Sequence, residues 1–400
     1  MTETKQRIKT EKIYDKEPLR TEFEAEVLSC IKNEKNLYEI VLDKTAFFPT
    51  GGGQLCDTGR IISLDGKTVA VVTEVFSDGE NIKHITDLEL AQGSRIKGIL
   101  DREKRISRME AHGGEHIISA LIFRRHGFNN VGFHMGREDV TADFDGVLSE
   151  EELAVIEREA NEVVRANLPI RIIYPNEEEL LSLEYRSKLE LASDVRIVSI
   201  GELDKCACCA PHLESTGQIG IIRLLGFSHY KGGIRVHMLC GGEAIKRIQE
   251  EGKIHDSLCT MLSSKPEKLF SSVERLVSEN MLLKDEINSL NDFLNEAICS
   301  TVNGKSPCLF DEREDALALR KLAVMVSEKL GEDVGVFGGE ERNYKLVISG
   351  KNIKNRFSEL SKLINCRGGG GDTLICGSTS SSKEEIIAAW NKIFLPSEII

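Results

Sequence analysis

Short runs of alternating apolar and polar residues fill the first part of the chain. They read FEAEVLSCI, LYEIVLD, TVAVVTEVF and SRIKGIL, and turns rich in Gly, Asp and Asn separate them. Alternation with a period of two is typical of half-buried strands. The pattern therefore predicts a β-barrel-like domain over residues 1–100, which carries one glycine-rich loop.

The pattern becomes helical after residue 100. Two segments, REKRISRMEAHGGEHIISALIFRRHG and SEEELAVIEREANEVVRANL, have helical periodicity, and Ser149 followed by three glutamates is a good helix start. Strands return at RIVSI, GIIRLLGFSHY and GIRVHML. We expect residues 101–245 to form an α+β domain.

A regular apolar seam occupies much of the next segment, residues 246–303. Its positions step by four and three alternately, which is typical of a coiled coil. They are Leu269, Val273, Leu276, Asn280, Leu283, Ile287, Leu290, Leu294 and Ala297. The polar Asn280 lowers stability at an inner position but can fix register and partner number. The seam predicts a helical arm that pairs either with a second chain or within one chain.

The last segment, residues 304–400, alternates helices and strands around the glycine run CRGGGGD. This order predicts a compact α/β domain. The whole chain is therefore expected to be an α+β protein with four domains, and homodimerisation through the arm or this last domain would be compatible with it.

Composition narrows the functional classes. The chain has 400 residues, of which 40% are hydrophobic, and its N-terminus is polar. Without a long apolar stretch, we expect no membrane segment and a cytoplasmic location, where the 11 cysteines would be thiols or metal ligands. A net charge of −13 argues against broad electrostatic binding of nucleic acid, so any RNA contact must come from local basic patches.

Two pairs of metal-binding residues are well separated in the sequence. In HGGEH two histidines are four residues apart, so that on a helix their side chains share one face. In CACCAPH a cysteine and a histidine have the same spacing, with a strand before them and a turn at Pro211. Two such pairs are the usual way to close four nitrogen and sulfur ligands around zinc. The predicted Zn²⁺ ligands are His112, His116, Cys208 and His212. Cys206 and Cys209 remain rival ligands beside the second pair.

A glycine-rich loop lies upstream of both pairs. The segment TAFFPTGGGQLCDTG, from Thr45 to Gly59, contains Gly51, Gly52 and Gly53 in succession. A backbone without side chains can approach a ligand closely, although a tight barrel loop explains the same residues. Thr45 and Gln54 add neutral hydrogen-bonding groups.

These three segments, in this order, resemble the editing domain of alanyl-tRNA synthetases and of their free-standing relatives, the AlaX-type trans-editing proteins. In that family the loop reads like TAFYPxGGGQxxDxG, the metal pairs are HxxxH and CxxxH, and a Thr-Gly pair follows, as at Thr216 and Gly217 here. The helical arm and CRGGGGD resemble the C-terminal region of alanyl-tRNA synthetase and of the larger trans-editing proteins. The editing resemblance covers roughly residues 15–245.

The resemblance implies a zinc-dependent deacylase of mischarged tRNA, most of all Ser-tRNA(Ala). Thr45 and Gln54 would hydrogen-bond the seryl hydroxyl, and Glu115 would act as a base or as a partner behind the metal ligands. One residue departs from the pattern, because Pro211 precedes His212 where alanyl-type members usually have Thr. The form is closer to the editing domain of threonyl-tRNA synthetases, which leaves the parent tRNA and a choice between serine and glycine open.

Candidate phosphate contacts for the tRNA are the basic residues Arg105, Arg108, Lys231 and Arg235. Two other functions fit parts of the pattern. An inverted zinc peptidase would use the H-x-x-E-H order with Glu115 as general base, although two glycines fit it poorly. A non-catalytic tRNA-binding protein would use the four ligands to close a structural zinc.

Overall fold

The computed structural model describes residues 9–136, 139–187, 195–340 and 342–395. These residues divide into two compact units, 1–255 and 256–400. Both contain helices and strands, so the expected α+β class is confirmed. The finer division into four domains stays a prediction.

The first unit begins with a closed barrel. Its segment contains β1 Glu11–Lys12, α1 Ile13–Lys16, β2 Glu22–Lys32, β3 Tyr38–Leu42, β4 Lys44–Thr45, β5 Gly59–Ser63, β6 Val69–Asp78, β7 Asn81–Thr86 and β8 Arg95–Leu100. Six strands close in the order β2-β3-β7-β6-β5-β8. Alternate residues point inward, as Phe23, Ala25 and Val27 do in β2, and they form the barrel core. The alternating sequence pattern thus predicted the barrel correctly.

The rest of this unit packs two long helices against an antiparallel sheet. Its elements are α2 Arg102–His126, β9 Asn130–Met135, β10 Val140–Phe144, α3 Glu150–Ala166, β11 Ile170–Ile173, α4 Glu177–Ser182, β12 Ile197–Ile200, β13 Asp204–Ala207, a 3₁₀ turn Thr216–Ile219, β14 Ile222–Tyr230 and β15 Gly233–Cys240. The strands form one sheet in the order β14-β15-β10-β9 and a second in the order β11-β12-β13. Ile117 of α2, Ile156 of α3 and Val236 of β15 are fully buried between these layers.

Both helices begin at side-chain caps. The carboxylate of Asp101 accepts the Lys104 backbone N–H at the start of α2. Ser149 caps α3 and forms a capping box with Glu152, which confirms the predicted start. Helix α2 is 25 residues long and ends at Gly127, whose φ of 75° is left-handed. Because of this length, one helix both packs against the barrel loop and carries the pair His112 and His116.

The second unit contains a long helix and a five-stranded sheet. Helix α5, Gly241–Met261, runs across the boundary between the units. The elements that follow are a 3₁₀ turn Pro266–Lys268, α6 Leu269–Thr301, β16 Cys308–Asp311, α7 Ala316–Leu330, β17 Val334–Glu340, β18 Asn343–Ser349, α8 Ile353–Leu363, β19 Cys366–Gly370, β20 Leu374–Thr379 and α9 Lys383–Phe394. The sheet order is β16-β17-β18-β20-β19, and Trp390 and Phe337 are fully buried against it.

Helix α6 carries the predicted apolar seam, and much of that seam is exposed. Leu276, Leu283 and Leu290 are 51%, 57% and 62% exposed. Among the described residues, the C-terminal end of α6 is packed, where the side chain of the buried Asn295 donates to Ala318 O of α7 at 2.9 Å. In the described ranges, no helix is both long and apolar enough to span a bilayer.

Candidate metal centre and substrate cavity

Four side chains from two distant segments converge beside the barrel. Helix α2 presents His112 and His116, and the segment after β13 presents Cys208 and His212. One ligand atom of each lies within 4.8 Å of the other three. Cys208 Sγ is 3.5 Å from His112 Nε2 and 3.3 Å from His212 Nε2. The structure therefore brings together the residues that the spacing singled out.

The arrangement fits a tetrahedral zinc ion. Zinc–sulfur and zinc–nitrogen bonds of about 2.3 and 2.0 Å place tetrahedral ligand atoms about 3.5 Å apart, close to the observed separations. His116 Nε2 is buried and has no hydrogen-bond partner among the described residues, as a metal-ligating nitrogen requires. One soft thiolate with three imidazoles is a donor set that zinc prefers over magnesium or calcium.

The surrounding imidazoles favour the thiolate form of Cys208. Burial raises the pKa of this thiol, but the charges of His112 and His212 and the hydrogen bond from His112 outweigh it. The pKa of Cys208 is therefore held well below its ordinary value. The thiolate is the form that binds metal.

A second layer of polar side chains orients the two imidazoles of α2. His112 Nδ1 donates to Gln54 Oε1 at 2.8 Å, which leaves Nε2 facing Cys208. Asp204 Oδ2 lies 3.5 Å from His116 Nδ1, and Arg186 donates to both oxygens of Asp204 at 2.8 and 2.7 Å. Such partners fix the ring orientation of metal ligands.

Sequence reasoning missed Asp204 and Arg186. Burial raises the pKa of the Asp204 carboxyl, but the adjacent His116 and the hydrogen bonds from Arg186 outweigh it and keep that pKa below its ordinary value. The carboxylate is therefore ionised beside His116. No spacing motif marks either residue, and only the pairing of β12 with β13, Ile200 opposite Asp204, could have placed Asp204 at the site.

The three glycines of the barrel loop form a tight turn next to the metal centre. Gly51 and Gln54 exchange backbone hydrogen bonds of 3.1 and 3.0 Å, and the two central residues have φ of 61° and 84°. Positive φ at both central positions is typical of a type I′ turn. A Cβ atom on Gly53 would lie 2.5 Å from Phe133 Cδ1, so only glycine fits there. The turn thereby directs Gln54 towards His112.

A cavity of about 680 Å³ opens onto these groups. This volume is within the range of small-molecule sites. Its wall combines the glycine turn, the metal-ligand cluster, two phenylalanines and two arginines: Gly52, Gly53, His112, His116, Cys208, Phe123, Phe133, Arg186 and Arg196. A bound ligand would thus contact apolar and charged groups together.

Glu115 also lines the cavity and is buried. The hydroxyl of Ser119 donates to Glu115 Oε1 at 2.6 Å, and the side-chain amide of Asn130 donates to the same oxygen. Its carboxylate is therefore held in a fixed position in the cavity wall.

Thr45 lies inside the barrel, fully buried. Burial lowers the pKa of the neighbouring His84 to about 4, so its ring is neutral, and His84 Nδ1 donates to Ile40 O at 3.1 Å. The Thr45 hydroxyl consequently donates to His84 Nε2 at 2.8 Å and accepts the Phe47 backbone N–H at 3.1 Å. Towards a ligand, this hydroxyl can act only as an acceptor.

Two predicted phosphate contacts have other partners in the structure. Arg105 is fully buried and forms an ion pair with Asp57 while also donating to Pro18 O at 2.7 Å. This placement corrects the prediction that Arg105 contacts a tRNA phosphate. Its guanidinium is buried and paired with a carboxylate, so it cannot reach a phosphate. Arg108 donates to Cys56 O and is 16% exposed, so both arginines bind the C-terminal end of the glycine loop.

The other two basic candidates lie near the β14–β15 hairpin. Arg235 donates to both oxygens of Asp143 at 2.6 and 2.8 Å, and its guanidinium stacks over the Tyr230 ring. Its charge is therefore largely compensated. Lys231 is exposed at the tip of the hairpin, with Nζ 5.1 Å from the centre of the same ring. Of the four basic candidates, Lys231 is the most accessible.

Comparison with known proteins agrees with this site. Residues 195–248 match the family described as "Threonyl and Alanyl tRNA synthetase second additional domain". This matched segment contains Cys208 and His212. Residues 3–104, which contain the barrel, match the family described as "tRNA synthetases class II (A)".

Curated relatives match over most of the chain. The alanyl-tRNA editing protein AlaX-L of Pyrococcus horikoshii is 26% identical over 94% of this chain and 96% of its own length. An alanine–tRNA ligase of Methanoregula boonei is 31% identical over 96% of this chain but only 44% of its own length. The chain thus spans less than half of that ligase.

A solved structure, the C-Ala domain of Aquifex aeolicus alanyl-tRNA synthetase, matches 23% of this chain and 93% of its own with 21% identity and a TM-score of 0.20, too low to support an argument. The assignment depends instead on the sequence matches, which span both the barrel and the metal-ligand segment. The chain is therefore similar over nearly its whole length to an AlaX-type alanyl-tRNA editing protein, and it contains a segment of the threonyl and alanyl tRNA synthetase second additional domain.

Proposed function

We propose that this protein is a zinc-dependent deacylase that hydrolyses the ester of mischarged tRNA, with Ser-tRNA(Ala) as its main substrate. The observation that carries the proposal is the convergence of His112, His116, Cys208 and His212 within 4.8 Å at the wall of one cavity. Support also comes from AlaX-L, an alanyl-tRNA editing protein that this chain matches over nearly its full length.

The reaction needs little beyond positioning, because an aminoacyl ester is already activated towards water. Zinc held by the four ligands would polarise a water molecule or anchor the substrate. The chain's own contribution is the rigid frame around the ligands, in which Gln54 and Asp204 fix the two imidazoles of α2. Glu115, fixed in the cavity wall by Ser119 and Asn130, is the carboxylate placed to accept a proton.

Selection of serine over alanine is assigned to Gln54. Its Oε1 is occupied by His112, but its Nε2 is buried without a hydrogen-bond partner among the described residues. A substrate hydroxyl would satisfy this donor, whereas an alanyl methyl group would leave it unpaired. Thr45 is fully buried and its proton is on the His84 side, so its hydroxyl would hold the start of the loop rather than bind the substrate hydroxyl.

For the tRNA itself, the accessible Lys231 at the tip of the β14–β15 hairpin is the proposed phosphate contact. Arg108 and the compensated Arg235 are secondary candidates. With a net charge of −13, the chain depends on such local groups rather than on its overall field.

One assay tests the function directly. The purified protein is incubated with Ser-tRNA(Ala), Ala-tRNA(Ala) and a peptide panel, with and without a zinc chelator. We expect hydrolysis of the seryl ester at a rate about 10³-fold above that of the alanyl ester, because the alanyl ester leaves a buried donor unpaired. The chelator should abolish this difference between the rates of seryl-ester and alanyl-ester hydrolysis.

The other outcomes identify the alternatives. Peptide cleavage with intact seryl-tRNA would indicate the inverted zinc peptidase and contradict the proposal. Binding of tRNA with neither activity would indicate a structural zinc closed by its four ligands. If Ser-tRNA(Thr), assayed in parallel, is hydrolysed in preference to Ser-tRNA(Ala), the editing role moves to tRNA(Thr), the other parent tRNA suggested by Pro211.

The exposed seam of α6 supports a homodimer formed through this helix. Val273, Leu276, Leu283, Ile287 and Leu290 lie at coiled-coil spacing, and all are exposed in the single chain. A second copy of the same helix would bury them, with Asn280 of each copy fixing the register.

The dimer is tested with the variant Leu283→Glu. A charge at an inner position of the seam should convert a dimer into a monomer in sedimentation equilibrium at micromolar concentration. The matched control is Ser278→Glu, which adds the same charge to α6 at a position outside the seam. A monomeric wild-type protein, or a Leu283→Glu variant that stays dimeric, would contradict this arrangement.

A further inference from the structure

Arg196 is a buried arginine that the proposed chemistry does not yet use. It directly precedes β12, whose first residue Ile197 pairs with Ala207 at the end of β13, so Arg196 lies opposite Cys208. The Cys208 backbone N–H donates to Arg196 O at 3.0 Å, and Arg196 Nη1 donates to Cys208 O at 2.6 Å. The guanidinium is thereby fixed directly beside a metal-ligand residue.

Among the described residues, two of the three side-chain nitrogens of Arg196 have no hydrogen-bond partner. Arg196 is 9% exposed, lines the cavity, and has Nε and Nη2 buried without a hydrogen bond in the described part of the chain. A buried cation with unused donors is costly unless an anion accepts them. The second arginine of the cavity, Arg186, already has both oxygens of Asp204.

A neighbouring acidic group, Asp15, does not fill this role. Burial raises the pKa of the Asp15 carboxyl and the charge of Arg196 opposes that shift, which indicates that the two are neighbours. No ion pair within 4.0 Å joins them among the described residues. Arg196 therefore lines the cavity that also contains the metal-ligand cluster, and its buried Nε and Nη2 have no hydrogen-bond partner among the described residues.

We propose that Arg196 binds the phosphate of the terminal nucleotide of the substrate, with Nε and Nη2 as paired donors. This inference rests on the proposed function. In an aminoacyl ester the amino-acid carboxyl is bound covalently, so the phosphates are the remaining negative groups. The two free nitrogens of a guanidinium edge match two phosphate oxygens, which a lysine ammonium does not. Phosphate capture would place the ribose ester next to Cys208.

The test uses two small esters that differ only in the phosphate. They are 2′(3′)-O-seryl-adenosine and 2′(3′)-O-seryl-adenosine 5′-monophosphate, and each is assayed with wild-type protein and Arg196→Gln. We expect Arg196→Gln to lower kcat/KM for the 5′-monophosphate by about 10- to 100-fold, the usual loss of a charged hydrogen-bond pair, and to change kcat/KM for seryl-adenosine little. Arg196→Lys should recover only part of the loss.

An equal loss for both esters would overturn the proposal, because it would show that Arg196 merely supports the Cys208 segment. A binding measurement independent of catalysis accompanies the kinetics, with calorimetric titration of 5′-AMP and adenosine. Wild-type protein should prefer 5′-AMP, and Arg196→Gln should lose that preference. The control Asp15→Asn removes the neighbouring negative charge and should bind 5′-AMP at least as tightly as wild type.

Failure of the phosphate site and failure of the deacylase function would give different results. If the wild-type protein prefers 5′-AMP through Arg196 but cleaves neither ester, the phosphate site stands and the deacylase function fails. If it cleaves both esters with no effect of the phosphate or of Arg196→Gln, the function stands and the phosphate site fails.

Discussion

Replacing Cys208 by alanine is expected to remove the metal and the deacylase activity together. Its Sγ lies 3.5 and 3.3 Å from two imidazole nitrogens, so no other single substitution removes both the anionic ligand and the contact that joins the two segments. Zinc measured by mass spectrometry should fall from about one per chain to a small fraction. The hydrolysis of Ser-tRNA(Ala) should fall by about 100-fold or more, because even partners behind the ligands cost 10- to 100-fold.

Neighbouring thiols provide matched controls for this variant. Cys209→Ala changes the adjacent residue, whose side chain is exposed and faces the glycine turn, and should keep its zinc. Cys206→Ala removes the thiol that forms a second possible group with His116 and Asp204. Normal zinc content in Cys208→Ala, with loss in Cys206→Ala or Cys209→Ala, would move the ligand to that residue and contradict the proposed set.

The second large effect is on stability. Arg105→Met should destabilise the first unit by about 3–5 kcal/mol, because it leaves the carboxylate of Asp57 buried without its cation. Asp57 is 1% exposed and also accepts the Phe48 backbone N–H at 2.6 Å, so it cannot turn towards water. Because the chain has two units, unfolding in urea should be followed by hydrogen exchange of barrel peptides rather than by a single global signal.

Two further variants distinguish the ion pair from a general effect of substitution. Arg102→Met, at an exposed position on the same helix, should change stability by less than about 0.5 kcal/mol. The double variant Arg105→Met/Asp57→Leu should be more stable than Arg105→Met alone, because no unpaired charge remains. A wild-type-like Arg105→Met would show that this pair does not anchor the loop.

Much of the architecture follows from local pattern. Alternation with a period of two identified the barrel strands, and Ser149 with its glutamates identified the start of α3. The four metal-ligand candidates were also visible, because each pair is local in sequence and only their meeting is long-range. These features depend on spacing, which a sequence displays directly.

The role of Arg105 was not visible in the same way. Charge alone groups it with the exposed Arg102 and Lys104, yet it lies four residues before Met109 and seven before His112 on the buried face of α2. Assigning the residues of α2 to helical faces, rather than counting charges, would have predicted that Arg105 is buried. Asp204, Arg186 and Arg196 had no such signal, because strand pairing between β12 and β13 determines their place.

The interval from Arg105 to His112 has a further consequence. Seven residues make two helical turns, about 10 Å of rise, so both side chains share one face of α2. Across from them, the loop residues Asp57 and Gln54 meet the same two side chains. Adding or deleting a single residue within these two turns would rotate one contact by about 100° relative to the other. In evolution, length changes should therefore be tolerated in the outer loops of this family and absent from this stretch of helix.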